Sequence, residues 1–167
     1  GCEISPRFKL PVVGAAYDFG SKFGGTPELT AELLREVAAR GYIASLTFHP
    51  GTQCTDPIAW ESYIRVAREI CDMAGVRARR LNVGGGFPSH RAMGVEPDLP
   101  SIFAEIRDTV AECFGADAPA LVCEPGRGLC ADACALIARV KAVRDGTHVF
   151  LNDGVYGGLT ELPVIGN

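Results

Sequence analysis

The chain has 167 residues, 47% hydrophobic and 22% charged, which is one domain's length of ordinary globular composition with enough apolar material for a core. Its net charge of −4 argues against nucleic acid as a partner, and the one basic run, Arg77-Ala78-Arg79-Arg80, reads as a solvated approach to a strand. No apolar stretch approaches the roughly 18 residues needed to span a bilayer, and no signal peptide is visible, so no membrane partner is expected.

In chain order, residues 7–13 alternate loosely and suit a strand, and residues 17–25 form a turn-rich loop. Thr26-Pro27 supplies an N-cap with proline in the first helical turn. Leu29, Leu33, Leu34, Val37 and Ala38 then keep one apolar face until Gly41 ends the helix. Residues 42–48 read as a buried strand. Asp56-Pro57 starts a second helix with Ile58, Tyr63, Ile64, Ala67, Ile70 and Cys71 as its apolar stripe, stopped by Gly75. Residues 80–83 are the next strand, residues 98–114 a third helix carried by Ile102, Phe103, Ile106 and Val110, and residues 120–123 a further strand. This alternation predicts parallel βα units. After Arg127 the rhythm breaks: residues 131–143 read as a short helix running into a strand, residues 148–151 as a strand, and Asn152-Asp153-Gly154 as a turn. A second, β-rich domain is therefore expected from residue 130. The chain opens with Gly1 rather than Met, inside what reads as a strand, so a piece of a longer protein is expected.

The seven cysteines are odd in number, and none are spaced C-x-x-C, which speaks against zinc and thioredoxin-like chemistry. Cys71, Cys113 and Cys123 lie in apolar segments and read as small hydrophobes, a usage that suits a reducing cytoplasm. Cys54 reads as a bland loop thiol. No metal site is indicated.

In a parallel sheet the ligand sits at the carboxyl ends of the strands. Three stretches fall there: Phe48-His49-Pro50-Gly51-Thr52, Val83-Gly84-Gly85-Gly86-Phe87-Pro88 and Cys123-Glu124-Pro125-Gly126-Arg127. The glycine run is either a tight turn or a phosphate cradle of converging amides. It is not a dinucleotide fingerprint, because Ser89 stands where the third glycine belongs and Pro88 and Pro97 delay the helix. Glu124 at a strand end needs a partner; that partner is either a structural one such as Arg127, or the nitrogen of a heteroaromatic ligand. His49 is either a satisfied core histidine or part of the site.

Together with Ser21-Lys22-Phe23-Gly24 and Asn152-Asp153-Gly154-Val155-Tyr156-Gly157, these stretches resemble, in order and spacing, the fold-type III decarboxylases of basic amino acids that depend on pyridoxal 5′-phosphate (PLP). Phe87-Pro88 and the residue 152–156 turn favour the ornithine branch over the diaminopimelate one. The resemblance implies an α/β fold: a partial, alanine racemase-like (β/α)8 TIM-type barrel over residues 1–129, followed by the start of a C-terminal β domain over residues 130–167. It implies a dimeric, cytoplasmic enzyme that acts on a small amino acid such as ornithine. His49 would stack on the cofactor ring, Thr52 would donate to its phosphate, and Gly84, Gly85 and Gly86 would cradle that phosphate. Glu124 would hold the ring nitrogen protonated, Arg127 would reach the phosphate, and Arg7 would lie near the cofactor. His49 and Glu124 would be the catalytic pair, and Lys22 and Tyr156 would face the second subunit. The family's cofactor-bearing lysine belongs to an upstream motif, which Lys9, Lys22 and Lys141 do not match. Its acidic substrate residue falls on Ile165, and Pro50 replaces a small apolar residue. These departures keep two rivals open, a non-catalytic regulatory relative and an unrelated phosphate-binding barrel.

Overall fold

A computed structural model describes residues 1–10, 22–89, 96–160 and 162–165, with the side chains of residues 164 and 165 also outside the description. The far end of the predicted first strand, the loop at residues 17–21 and the Ile165 side chain therefore lie outside the described residues.

The core architecture is a run of parallel strands with one helix between neighbours. β1 (Glu3–Ile4) pairs with β2 (Ile43–Ala44), and β3 (Leu46–Thr47) pairs with β4 (Arg80–Asn82), which pairs with β5 (Ala120–Val122). The link from β1 to β3 continues through an isolated bridge between Arg7 and Thr47. Sequence neighbours are thus spatial neighbours. Right-handed crossovers in a steadily advancing order put every helix on the same side. Accordingly α2 (Ile58–Ala74) packs against both α1 (Pro27–Ala39) and α3 (Leu99–Phe114). This is the arrangement of a barrel arc, and it brings the carboxyl ends of the strands to one face.

Two predicted strands differ in outline. The first, over residues 7–13, is described as far as residue 10, with single bridges at Arg7 and Phe8, and regular pairing comes just before it at Glu3–Ile4. The second is not continuous over residues 42–48: it breaks at buried Ser45, whose hydroxyl donates to Glu3 Oε1 at 2.5 Å and accepts from the Arg80 amide at 3.1 Å.

The helices begin where their caps predict. Thr26 Oγ1 accepts from the Leu29 amide, Asp56 Oδ1 from the Ile58 amide, and Asp98 Oδ1 from the Ser101 amide. Gly75 closes α2 in the left-handed conformation. The predicted apolar faces need trimming. Leu29, Leu33, Ile58 and Phe103 are exposed, and Thr30 and Ala31 take the buried places in α1. Cys123 is also exposed rather than packed, whereas Cys71 is buried and Cys113 half-buried. Cys54 is fully buried.

An aromatic column fills the space between sheet and helices. Phe48 stacks on Tyr63 at 4.6 Å, Trp60 on Phe87 at 5.1 Å, and Phe87 on Phe103 at 5.0 Å. Trp60 Nε1 donates to the Val83 carbonyl at 3.3 Å, so the largest core side chain also fixes the end of β4. Its removal should cost about 3–5 kcal/mol through the cavity left behind.

Beyond β5 the chain differs from the predicted outline. The helix comes earlier, as α4 (Gly126–Cys130), and residues 131–139 contain no helix. β6 (Val140–Arg144) and β7 (His148–Leu151) form an antiparallel hairpin, followed by the short α5 (Leu162–Ile165).

Candidate functional site

Three loops meet at the carboxyl ends of β3, β4 and β5. The chain leaves β4 through Val83, and Gly84 and Gly86 both take positive φ, at 72° and 83°. Glycine is required here on a second ground. A Cβ on Gly84 would collide with the Phe48 carbonyl, and one on Gly86 with the Gly51 carbonyl. A Cβ on Gly85 would lie 2.6 Å from the Glu124 carbonyl oxygen and 3.1 Å from His49 Nε2. The glycine turn is therefore wedged between the His49 loop and the Glu124 loop, and the absence of side chains lets all three backbones touch.

Hydrogen bonds hold this junction. The Glu124 amide donates to the Gly84 carbonyl at 2.7 Å, and the Cys54 amide to the Gly86 carbonyl at 2.9 Å. Asn82 Oδ1 accepts from the Gly84 amide at 2.9 Å, while Asn82 Nδ2 donates to Glu124 Oε1 at 2.9 Å. Glu124 thus has a structural partner, in Asn82, a residue the sequence reading did not name. Gln53 clasps Ser89 twice: the Ser89 amide donates to Gln53 Oε1 at 2.9 Å, and Gln53 Nε2 donates to the Ser89 carbonyl at 3.4 Å. Gln53 does this with φ at 51°, a left-handed backbone that a non-glycine residue adopts only under constraint. Among the described residues no acceptor is bonded to the amides of Gly85 and Gly86.

His49 is half-buried, and its Nδ1 accepts from the Gly51 amide at 3.0 Å. Burial pushes its pKa below the ordinary 6.5, the positive charge of Arg7 pushes it further down, and Glu124 pulls it up. Both influences lower the cost of a neutral imidazole, whose flat face can lie against a ring.

The remaining predicted residues are spread more widely. Thr52 lies between Gly51 and the Gln53 clasp, half-buried. Arg127 lies in the first turn of α4, half-buried, and the next residue, Gly128, comes up against Phe87. Arg7 bridges to Thr47 and lays its guanidinium over the Phe23 ring at 5.3 Å. Lys22 approaches the same ring at 5.2 Å. Tyr156 is fully exposed on the far side of the hairpin in sequence, outside the loop junction. The basic run is solvated as predicted, with Arg77 paired to Asp117 and Arg80 to Glu3.

Sequence reasoning passed over Asn82, Gln53 and Ser89. Asn82 had a usable signal, since Asn two residues before a turn glycine is the pattern of an Asx turn. Gln53 had none. Among the described residues no cluster of three or more metal-ligating side chains occurs.

The arrangement can bind a flat heteroaromatic phosphate: free amides for the anion, a neutral imidazole for a ring face, and a carboxylate for a ring nitrogen. Comparisons with known proteins identify the family. Residues 6–131 match the family model described as the pyridoxal-binding domain of pyridoxal-dependent decarboxylases. The lysine/ornithine decarboxylase of Selenomonas ruminantium is 30% identical over 94% of this chain and 41% of its own length. The structure of the Paramecium bursaria Chlorella virus arginine decarboxylase bound to agmatine superposes with a TM-score of 0.83 at 25% identity, covering 99% of this chain and 46% of that one. The structure of SrLDC in complex with PLP and cadaverine gives a TM-score of 0.77 at 28% identity, covering 96% and 41%. The chain spans about two fifths of the length of the curated relatives it matches.

Proposed function

The chain belongs to the pyridoxal-dependent decarboxylases, through their pyridoxal-binding domain, and from this we propose that it forms the cofactor-binding part of an enzyme that removes CO2 from a basic amino acid. One observation carries the reading: His49 and the backbone of Glu124 both lie against the glycine turn, at the carboxyl ends of three adjacent parallel strands.

The residues fit PLP. The group bears a phosphate dianion, a flat ring and a basic ring nitrogen, and each has a counterpart here. When bound, its pyridinium ring draws in the electron pair that loss of CO2 leaves on Cα. The amides of Gly85 and Gly86 bind the phosphate, with the Thr52 hydroxyl and the Arg127 guanidinium as further donors. His49 orients the ring by packing against it. Glu124 holds the proton at the ring nitrogen, since an anionic acceptor there favours the protonated form. Arg7 adds positive charge near His49 and the cofactor. The lysine that carries the cofactor is none of Lys9, Lys22 and Lys141, and lies in a part of the enzyme outside this chain.

Ornithine is the proposed substrate, giving putrescine. The support is Phe87-Pro88 after the glycines and the residue 152–156 turn. We assign residues 1–129 to part of a (β/α)8 barrel and residues 130–167 to the start of a C-terminal β domain; the change from parallel β5 to the antiparallel β6–β7 pair supports that boundary. The enzyme is proposed to be a cytoplasmic homodimer with Lys22 and Tyr156 at its interface, for which the full exposure of Tyr156 leaves room. No helix among the described residues is long and apolar enough to cross a membrane.

The test is CO2 release by the intact protein with PLP from ornithine, lysine, arginine and diaminopimelate in parallel. Release from ornithine, faster than from the other three, is expected. PLP binding with no CO2 from any of them would instead identify a regulatory relative. Phosphate binding without PLP binding would identify an unrelated phosphate-binding barrel.

A further inference from the structure

We propose that Asn82 is a positioning residue for the cofactor ring, because its carboxamide locks the carboxylate of Glu124 to the glycine turn. The inference rests on the PLP reading above and extends it to a side chain outside the predicted site.

Asn82 ends β4, two residues before Gly84. Its side chain makes two bonds of opposite sense. The Gly84 amide can only donate, so the atom facing it at 2.9 Å must be the carboxamide oxygen. That fixes the orientation of the group and leaves Nδ2 facing Glu124 Oε1, also at 2.9 Å. The carboxylate of Glu124 can only accept while ionised, so the two groups are complementary. Neither bond can flip without breaking the other.

The consequence for Glu124 is geometric. Its backbone is tied to the same turn, through its own amide and the Gly84 carbonyl. Its side chain is otherwise exposed, and a free glutamate would sample several rotamers. Asn82 occupies Oε1, and among the described residues no donor is bonded to Oε2. One oxygen is therefore held by the protein and the other is presented for the ring nitrogen. The same turn carries the Gly85 and Gly86 amides, so the phosphate end and the nitrogen end of the ligand are set from one rigid element. This is preorganisation: the ordering of Glu124 precedes binding instead of accompanying it.

The experiment compares wild type, Asn82→Asp and Asn82→Ala in the intact protein. Each is titrated with PLP and with 1-deazapyridoxal 5′-phosphate, whose ring has carbon in place of the nitrogen, and each is melted. Asn82→Asp keeps an acceptor for the Gly84 amide but sets a second carboxylate against Glu124. It is expected to melt close to wild type and to bind PLP about tenfold to a hundredfold more weakly, the scale of one hydrogen bond to a charged group. Its affinity for the deaza ligand should stay within about twofold of wild type, so the preference for PLP collapses. Asn82→Ala should lose that preference as well and also melt at a lower temperature; if it fails to fold, Asn82→Asp alone carries the test. Asn82→Asp with an undiminished preference for PLP would overturn the inference and leave Asn82 as a turn cap. Equal weakening toward both ligands would overturn it too, since the effect would then be structural. A wild type that binds neither ligand would instead overturn the cofactor reading itself.

Discussion

Gly86 lies directly against the carbonyl of Gly51, with no room between them for a side-chain carbon. The contact joins two loops that follow different strands, and the Cys54 amide reinforces it by donating to the Gly86 carbonyl. Gly86 also needs φ at 83°. Gly86→Ala therefore faces strain and a clash against backbone, which cannot swing aside as a side chain could. It should lower the melting temperature by several degrees and weaken PLP binding by more than about tenfold. Gly75→Ala is the control. It too has positive φ, at 66°, but an added Cβ there meets nothing within 4 Å. It should cost about 1 kcal/mol of stability and leave PLP affinity unchanged. Calorimetry and PLP titration of both variants make the check, and a Gly86→Ala protein that binds PLP normally would contradict the packing argument.

His49 should impose a pH dependence of definite sign. Its pKa is depressed from 6.5, first by burial and then by Arg7. Between the depressed value and 6.5 the unfolded chain binds more protons than the folded one, so stability rises with pH there. The contribution is complete above pH 6.5 and is lost as the pH falls through the folded value. Denaturant midpoints measured from about pH 7.5 down to about pH 5 should fall more steeply for wild type than for His49→Gln. Parallel curves would show that His49 takes no part in the linkage.

Much of this organisation could be read from local signals. Thr26-Pro27, Asp56-Pro57 and Asp98 mark real helix starts, because a cap is a contact between near neighbours. The convergence of His49, Gly85 and Glu124 followed from alternation alone, since parallel βα units put every strand end on one face. What escaped was long-range. Ser45 interrupts a strand because it bonds Glu3 and Arg80, 42 and 35 residues away. Gln53 reaches Ser89 across 36 residues, and no spacing rule encodes that. Leu29, Leu33 and Ile58 fitted a helical stripe yet stay exposed, because apolar residues are not confined to interiors. α4 starts at Gly126 in a stretch whose glycines argue against a helix, so tertiary contact overrides propensity there.

The Gln53 clasp should separate strain from bonding. Gln53→Ala loses both bonds to Ser89 and keeps the left-handed backbone, so it should be destabilised by about 1–2 kcal/mol. Gln53→Gly loses the same bonds but is at ease with φ at 51°, and should melt above Gln53→Ala. Both should bind PLP more weakly than wild type, because Thr52 is the neighbouring residue and loses its anchor. Thermal melts and PLP titration distinguish these outcomes; melting temperatures equal to wild type would show the clasp to be incidental.

The outer edge of β5 should govern association of this 167-residue chain when it is produced by itself. β5 pairs with β4 on one side, and among the described residues no strand pairs with its other side. Leu121 and Val122 on it are 43% and 39% exposed, and Val140, Val143, Val149 and Phe150 of the hairpin are exposed as well. An unpaired edge with apolar side chains offers both the hydrogen bonds and the burial that a second copy needs. Sedimentation velocity at increasing concentration should therefore show oligomers. Leu121→Lys should shift the distribution toward monomer, since a charge at an edge blocks pairing without touching the aromatic core. A folded monomer at all concentrations would mean that the exposed edge is protected by geometry alone, and Leu121→Lys would then change nothing.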